Sequence, residues 1–114
     1  MPHFIIDCSK QIIVLKSPKD IMQNVYDTAD LTILFLPEEI KVGINPFQFY
    51  NTGNTQNNFI HVFANIMEGR NTEQKSNLSK QIISVLKAMF PEVPIISINI
   101  RAFEKATYCN KEMV

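Results

Sequence analysis

Apolar residues cluster or alternate over short stretches at four places in this chain, and two longer stretches carry them at helical spacing. Pro2 to Cys8 (PHFIIDC), Ile40 to Tyr50 (IKVGINPFQFY), Phe59 to Met67 (FIHVFANIM) and Ile95 to Ile100 (IISINI) are rich in β-branched and aromatic residues, which predicts four strands. Gly43 and Pro46 inside the second predict a bulge or an exposed edge, because proline cannot donate to a ladder. Ser17-Pro18-Lys19-Asp20 reads as a helix start: a serine cap, proline at the first helical position and an acid in the first turn. Ile21, Val25, Thr28 and Ala29 then recur at helical spacing. In the second half Asn71 is a helix cap, and Gln74 completes a capping box. Leu78, Ile82, Leu86 and Met89 form the apolar stripe of that helix, and Pro91 and Pro94 end it. Asn51 to Asn58 (NTGNTQNN) is a polar turn between the two halves.

The order is therefore β-α-β followed by β-α-β, repeated at an offset of roughly 55 residues. A chain of 114 residues is expected to form one domain, with halves at about 1–56 and 57–114. Each unit should pair its strands in parallel through a right-handed crossover. The expected fold class is α+β: a four-stranded sheet with both helices on one face. Ile5 and Ile6, like Ile95 and Ile96, put apolar side chains on both faces, so the uncovered face needs a partner. No further element is available to supply one, which points to self-association.

Composition narrows the function. With 46% hydrophobic residues the chain can build a core, and its eleven basic and eleven acidic residues cancel. That balance removes the electrostatic case for nucleic acid or an anionic membrane. No apolar run approaches the roughly 20 residues needed to cross a bilayer. The start lacks the basic region and small-residue cleavage site of a signal peptide, so a cytoplasmic protein is expected. Cys8 and Cys109 are expected to be free thiols in that compartment. His3 and His61 have no neighbours at metal-ligand spacing, so zinc is not supported.

Two segments bear chemistry. Met1 precedes Pro2, and an initiator methionine is normally removed before a small residue such as proline. Removal leaves a secondary amine at the head of a strand, and an α-amino group titrates at roughly 7.7–8.0, within reach of a base working near neutrality. Ile66 to Lys75 (IMEGRNTEQK) is a strand end, a glycine turn, an arginine and a capped helix start. Arg70 is thus expected at a pocket rim, exposed and outside the core, where a planar guanidinium can meet a carboxylate.

Glu68-Gly69-Arg70, two small polar residues, then Glu73-Gln74-Lys75 closely resembles the segment after the first strand of 4-oxalocrotonate tautomerase. With the proline and the duplicated β-α-β, the chain resembles the tautomerase superfamily. Within it, Pro2-His3-Phe4 with its apolar pair, Cys8, and Ile40-Lys41-Val42 resemble the 5-carboxymethyl-2-hydroxymuconate isomerase family. The resemblance implies a trimeric, barrel-like assembly and a cofactor-free keto-enol isomerase of small unsaturated 2-hydroxy or 2-oxo (di)carboxylic acids, of the kind used in aromatic catabolism. It implies Pro2 as general base, Arg70 as the binder of a substrate carboxylate, and Lys41 where smaller relatives carry a second-strand arginine. Gly43 stands where isomerase relatives often have a further arginine, which implies a weaker grip on a dicarboxylate or a different substrate. Two other readings stay open: a phenylpyruvate-type tautomerase resembling macrophage migration inhibitory factor, and a trimeric ligand-binding scaffold with little catalysis.

Overall fold

Strict alternation in the two central strands builds the core. The computed structural model describes every residue, Met1–Val114. Its strands are β1 (His3–Ser9), β2 (Lys41–Phe47), β3 (Phe59–Met67) and β4 (Ile95–Phe103). Its helices are α1 (Ile12–Leu15), α2 (Pro18–Leu31) and α3 (Thr72–Met89), and short 3-10 turns cover Pro37–Glu39, Lys105–Thr107 and Lys111–Met113. The strand order is β2-β1-β3-β4. β1 runs parallel to β2 and β3 parallel to β4, and β1 and β3 join the two units antiparallel at the centre.

Phe4, Ile6 and Cys8 of β1 and Ile60, Val62, Ala64 and Ile66 of β3 are fully buried, every second residue on one face. Against them pack Ile21, Val25 and Ala29 of α2 and Leu78, Ile82 and Leu86 of α3, also fully buried. Complete burial of such side chains stabilises by roughly 1.5–3 kcal/mol each, which makes this single apolar layer the main source of stability. The helix starts follow the expected chemistry. Ser17 accepts from the Asp20 amide at 3.1 Å. Asn71 and Gln74 exchange both capping-box bonds, at 2.8 and 2.9 Å.

Three differences from the sequence reading have physical causes. β2 stops at Phe47 and pairs with β1 in unbroken register, so Gly43 and Pro46 mark an edge strand and not a bulge. β4 continues to Phe103, pairing Arg101, Ala102 and Phe103 with Asn65, Ile66 and Met67. Arg101 is accommodated because its guanidinium lies over the Phe63 ring, 4.4 Å from the centroid. The uncovered face is also less apolar than Ile5 and Ile95 suggest. His61 bonds Ser97 and Asn99 through its two ring nitrogens, both at 2.6 Å, and Asn45 donates to Asp7 at 3.2 Å. That face is a mixture of aromatic, aliphatic and paired polar groups.

No helix is long and apolar enough to cross a membrane. Both cysteines are free, Cys8 buried and Cys109 exposed. No three His, Cys, Asp or Glu side chains gather in a way that could hold a metal ion.

Candidate active site

Gly69 adopts φ 119°, a conformation that L side chains rarely reach, and this lets the chain turn out of β3 directly into the Asn71 cap. Arg70 is carried on that turn. Its Nη2 donates to the Leu34 carbonyl at 2.6 Å and its Nη1 to the Met67 carbonyl at 3.3 Å. Its guanidinium also lies 5.0 Å from the centroid of the Phe35 ring. Phe35 in turn meets Phe4 edge-on, with centroids 6.2 Å apart. The expectation of an exposed Arg70 therefore needs correction: the side chain is half-buried and ties the segment after α2 to the end of β3. The reason is that the Leu34 carbonyl, past the end of α2, and the Met67 carbonyl, at the end of β3, both accept from this charged donor. Part of the fork remains available, since these bonds use only two of its N–H groups.

Arg70 lines an open cavity of about 450 Å³ together with Asp30, Glu39 and the run from Ile33 to Pro37. The N-terminus reaches the same cavity through Glu39. Pro2 is buried, and its carbonyl accepts from the Lys41 amide at 3.1 Å. The Met1 ammonium donates to Glu39 Oε2 at 3.1 Å, and the Tyr108 hydroxyl contacts the Met1 sulfur at 2.7 Å. Tyr108 stacks on Phe103, with centroids 5.5 Å apart. The Met1–Glu39 pair leaves its side chains 25% and 31% exposed. Screening at that exposure limits the pair to about 1 kcal/mol, so its value is positional. With Met1 in place the Pro2 nitrogen is an amide, with neither a proton to lose nor a basic lone pair.

Lys41 stands elsewhere. It opposes His3 at the edge of the sheet, on the uncovered face, and its exposed side chain forms neither an ion pair nor a hydrogen bond. It is absent from the cavity lining. Arg70 thus lines the cavity and the Met1–Glu39 pair sets the N-terminus beside its Glu39 edge, while neither Pro2 nor Lys41 is among the lining residues. Sequence reasoning missed Glu39 and Phe35, which lie where neither period operates. The only signal was the acidic Pro37-Glu38-Glu39 run immediately before β2. Tyr108, near the C-terminus, adds the contact with the N-terminal methionine.

Two other features compete poorly as sites. A groove of about 490 Å³ between α2 and α3 is lined by side chains such as Thr28, Asn77 and Gln81, none of them an acid, a base or a charge. Cys8 is a buried thiol pushed up from 9.0 to about 11 by desolvation and then by neighbouring Asp7, so it is no nucleophile.

The chain matches the family model described as 5-carboxymethyl-2-hydroxymuconate isomerase over residues 2–112. Among solved structures it resembles a 5-carboxymethyl-2-hydroxymuconate isomerase from Deinococcus radiodurans R1, with 18% identity, TM-score 0.84, and coverage of 96% of this chain and 88% of that one. It also resembles a fused 4-OT described as an asymmetric trimer, with 14% identity, TM-score 0.79, and coverage of 96% and 92%. A third similar structure is the macrophage migration inhibitory factor from Trichinella spiralis, with 12% identity, TM-score 0.76, and coverage of 96% of both chains. At these identities the structural likeness speaks to fold alone. Among curated proteins none matches this chain in sequence.

Proposed function

The chain belongs to the 5-carboxymethyl-2-hydroxymuconate isomerase family and is an isomerase, and from that premise we propose how it works. Removal of Met1 turns Pro2 into a secondary amine at the head of β1. This amine takes the hydroxyl proton of a 2-hydroxydienoate, the O–H electrons become the carbonyl π bond, and the conjugated double bonds shift along the chain. The ammonium then returns its proton to a carbon, giving the 2-oxo isomer and the free amine. Arg70 holds a substrate carboxylate with the N–H groups that its backbone contacts leave free, and steadies charge that develops on the enolate. Lys41 holds and polarises substrate only where a second copy of the chain brings it to the cavity, because within its own chain it starts from the uncovered sheet face. The reaction is a proton transfer within one molecule and calls for no organic cofactor or metal.

The observation that supports this reading is the Met1–Glu39 pair: Glu39 holds the residue preceding Pro2 and lines the cavity that Arg70 lines. The same reading makes the protein a homotrimer, with the uncovered face of each sheet turned inward; the fused 4-OT of similar fold is described as a trimer. A closed cyclic assembly satisfies bare faces and open strand edges together.

The test is turnover of 2-hydroxydienoates by the processed chain, followed by ultraviolet absorbance, in wild type and Arg70→Ala. A dicarboxylate dienol should lose roughly ten- to a hundredfold in kcat/KM, the equivalent of about 1.5–3 kcal/mol for a charge-assisted pair. A neutral enol, which offers the guanidinium no anion, should lose far less. Equal losses for both substrates contradict the binding role of Arg70, and absence of turnover by the processed wild type contradicts the reading as a whole.

A further inference from the structure

Ile33 breaks a rule of helix termination without any visible return inside the chain. α2 ends at Leu31 and Thr32 caps it, so Ile33 is the next residue, where the chain commonly turns left-handed and glycine is preferred. Ile33 adopts φ 61° there, and its amide closes the turn by donating to the Asp30 carbonyl at 3.1 Å. A β-branched residue in the left-handed region is a genuine outlier, costly to keep and worth a functional question. Core packing does not offset that cost, because Ile33 is 88% exposed. Its side chain instead lines the cavity that Arg70 lines.

The rest of that lining has a clear chemical bias. Leu34, Phe35, Leu36 and Pro37 continue the apolar wall, and Leu36 is itself 57% exposed. Arg70 is the one cation in the lining, and two acids, Asp30 and Glu39, stand with it. A substrate with one carboxylate finds a partner in Arg70. A second carboxylate meets Asp30 and Glu39 as like charges.

We infer that Ile33 is a specificity-determining residue that supplies an apolar wall to the Arg70 cavity, and that this cavity selects 2-hydroxy or 2-oxo acids with one carboxylate and an apolar tail over dicarboxylates. This rests on the active-site reading given above and deepens it, since the cavity is the same. The strain at Ile33 is held for contact with substrate.

The experiment uses the processed full-length chain and the variants Ile33→Asn and Ile33→Gly, whose new residues tolerate the left-handed turn. Three probes serve: an aryl-tailed 2-oxo monocarboxylate, pyruvate as the short monocarboxylate, and a dicarboxylate dienol. Binding is measured by calorimetric titration and turnover by absorbance. Wild type should bind the aryl-tailed acid at least about tenfold more tightly than the dicarboxylate. Both variants should melt at the same temperature or higher while weakening the aryl-tailed acid by about tenfold and leaving pyruvate unchanged. Glu39→Gln should narrow the gap between the aryl-tailed acid and the dicarboxylate. Equal weakening of all probes, no weakening of the aryl-tailed acid, or wild-type preference for the dicarboxylate overturns the inference. A variant that changes assembly mass also overturns it, since Ile33 would then be held for contact between subunits. Selective binding without turnover upholds the inference and overturns the proline-base reading instead, so the two failures are distinguishable.

Discussion

At the scale of single residues, each charged or reactive side chain is decided by its immediate company. Arg70 is committed to the Leu34 and Met67 carbonyls, so Arg70→Ala removes an anchor as well as the proposed ligand for substrate. Arg70→Lys keeps the charge and loses the planar fork, so it should recover activity only in part. Lys41 has the charge that its proposed role requires, but strand parity sends it to the face opposite the buried ring of Phe4. Cys8 shows burial acting on chemistry. Its thiol is held up at about 11, which favours the protonated form in the folded state over the unfolded state. The sign follows directly: the stabilisation is fully present below the ordinary value of 9.0 and is lost as pH rises from there through about 11. Stability against denaturant should therefore fall across that window by more in wild type than in Cys8→Ala, measured relative to each protein at pH 8. A wild-type profile parallel to that of Cys8→Ala would show that Cys8 carries no such coupling.

At the scale of elements, what the sequence made legible was whatever repeats. The two-residue period of β3 and the three-and-four spacing of α3 placed both elements, and the Asn71–Gln74 box marked the start of α3 to the residue. Residues 31–40 were not legible, because a left-handed turn at Ile33 and a 3-10 turn at Pro37–Glu39 have no period to read. That stretch supplies six of the eight lining residues, Phe35 and Glu39 among them, which explains why most of the cavity wall went unforeseen. The end of β4 was hidden for another reason: Arg101 looks like a solvated charge until Phe63 is known to lie beneath it. The strand-to-helix turn gives the test at this scale. Asn71→Ala should cost about 1 kcal/mol through loss of the cap. Gly69→Ala should cost about 1–3 kcal/mol through backbone strain alone, since a Cβ there meets nothing within 4 Å. Chemical denaturation of both variants checks this. A cost-free Gly69→Ala would mean that the turn relaxes, and Arg70 should then lose its place.

At the scale of the whole molecule, the uncovered sheet face and the state of the N-terminus matter most. The face holds His61, Ser97 and Asn99 in one network and sets Arg101 on Phe63, a pairing of polar groups that lets such a surface be buried between copies. Light scattering at micromolar concentration should give three times the 13.1 kDa of the chain. A stable monomer would contradict the proposed trimer. The central claim, that the Pro2 amine is the base, is tested most directly by one paired measurement on one preparation: intact mass and isomerase activity, before and after aminopeptidase treatment. With Met1 attached the Pro2 nitrogen is an amide, and the Met1 ammonium occupies Glu39 at the cavity. Activity should therefore track the fraction of chains lacking Met1 and approach zero in a sample that retains it fully. Equal activity in a fully Met1-bearing sample would contradict the claim.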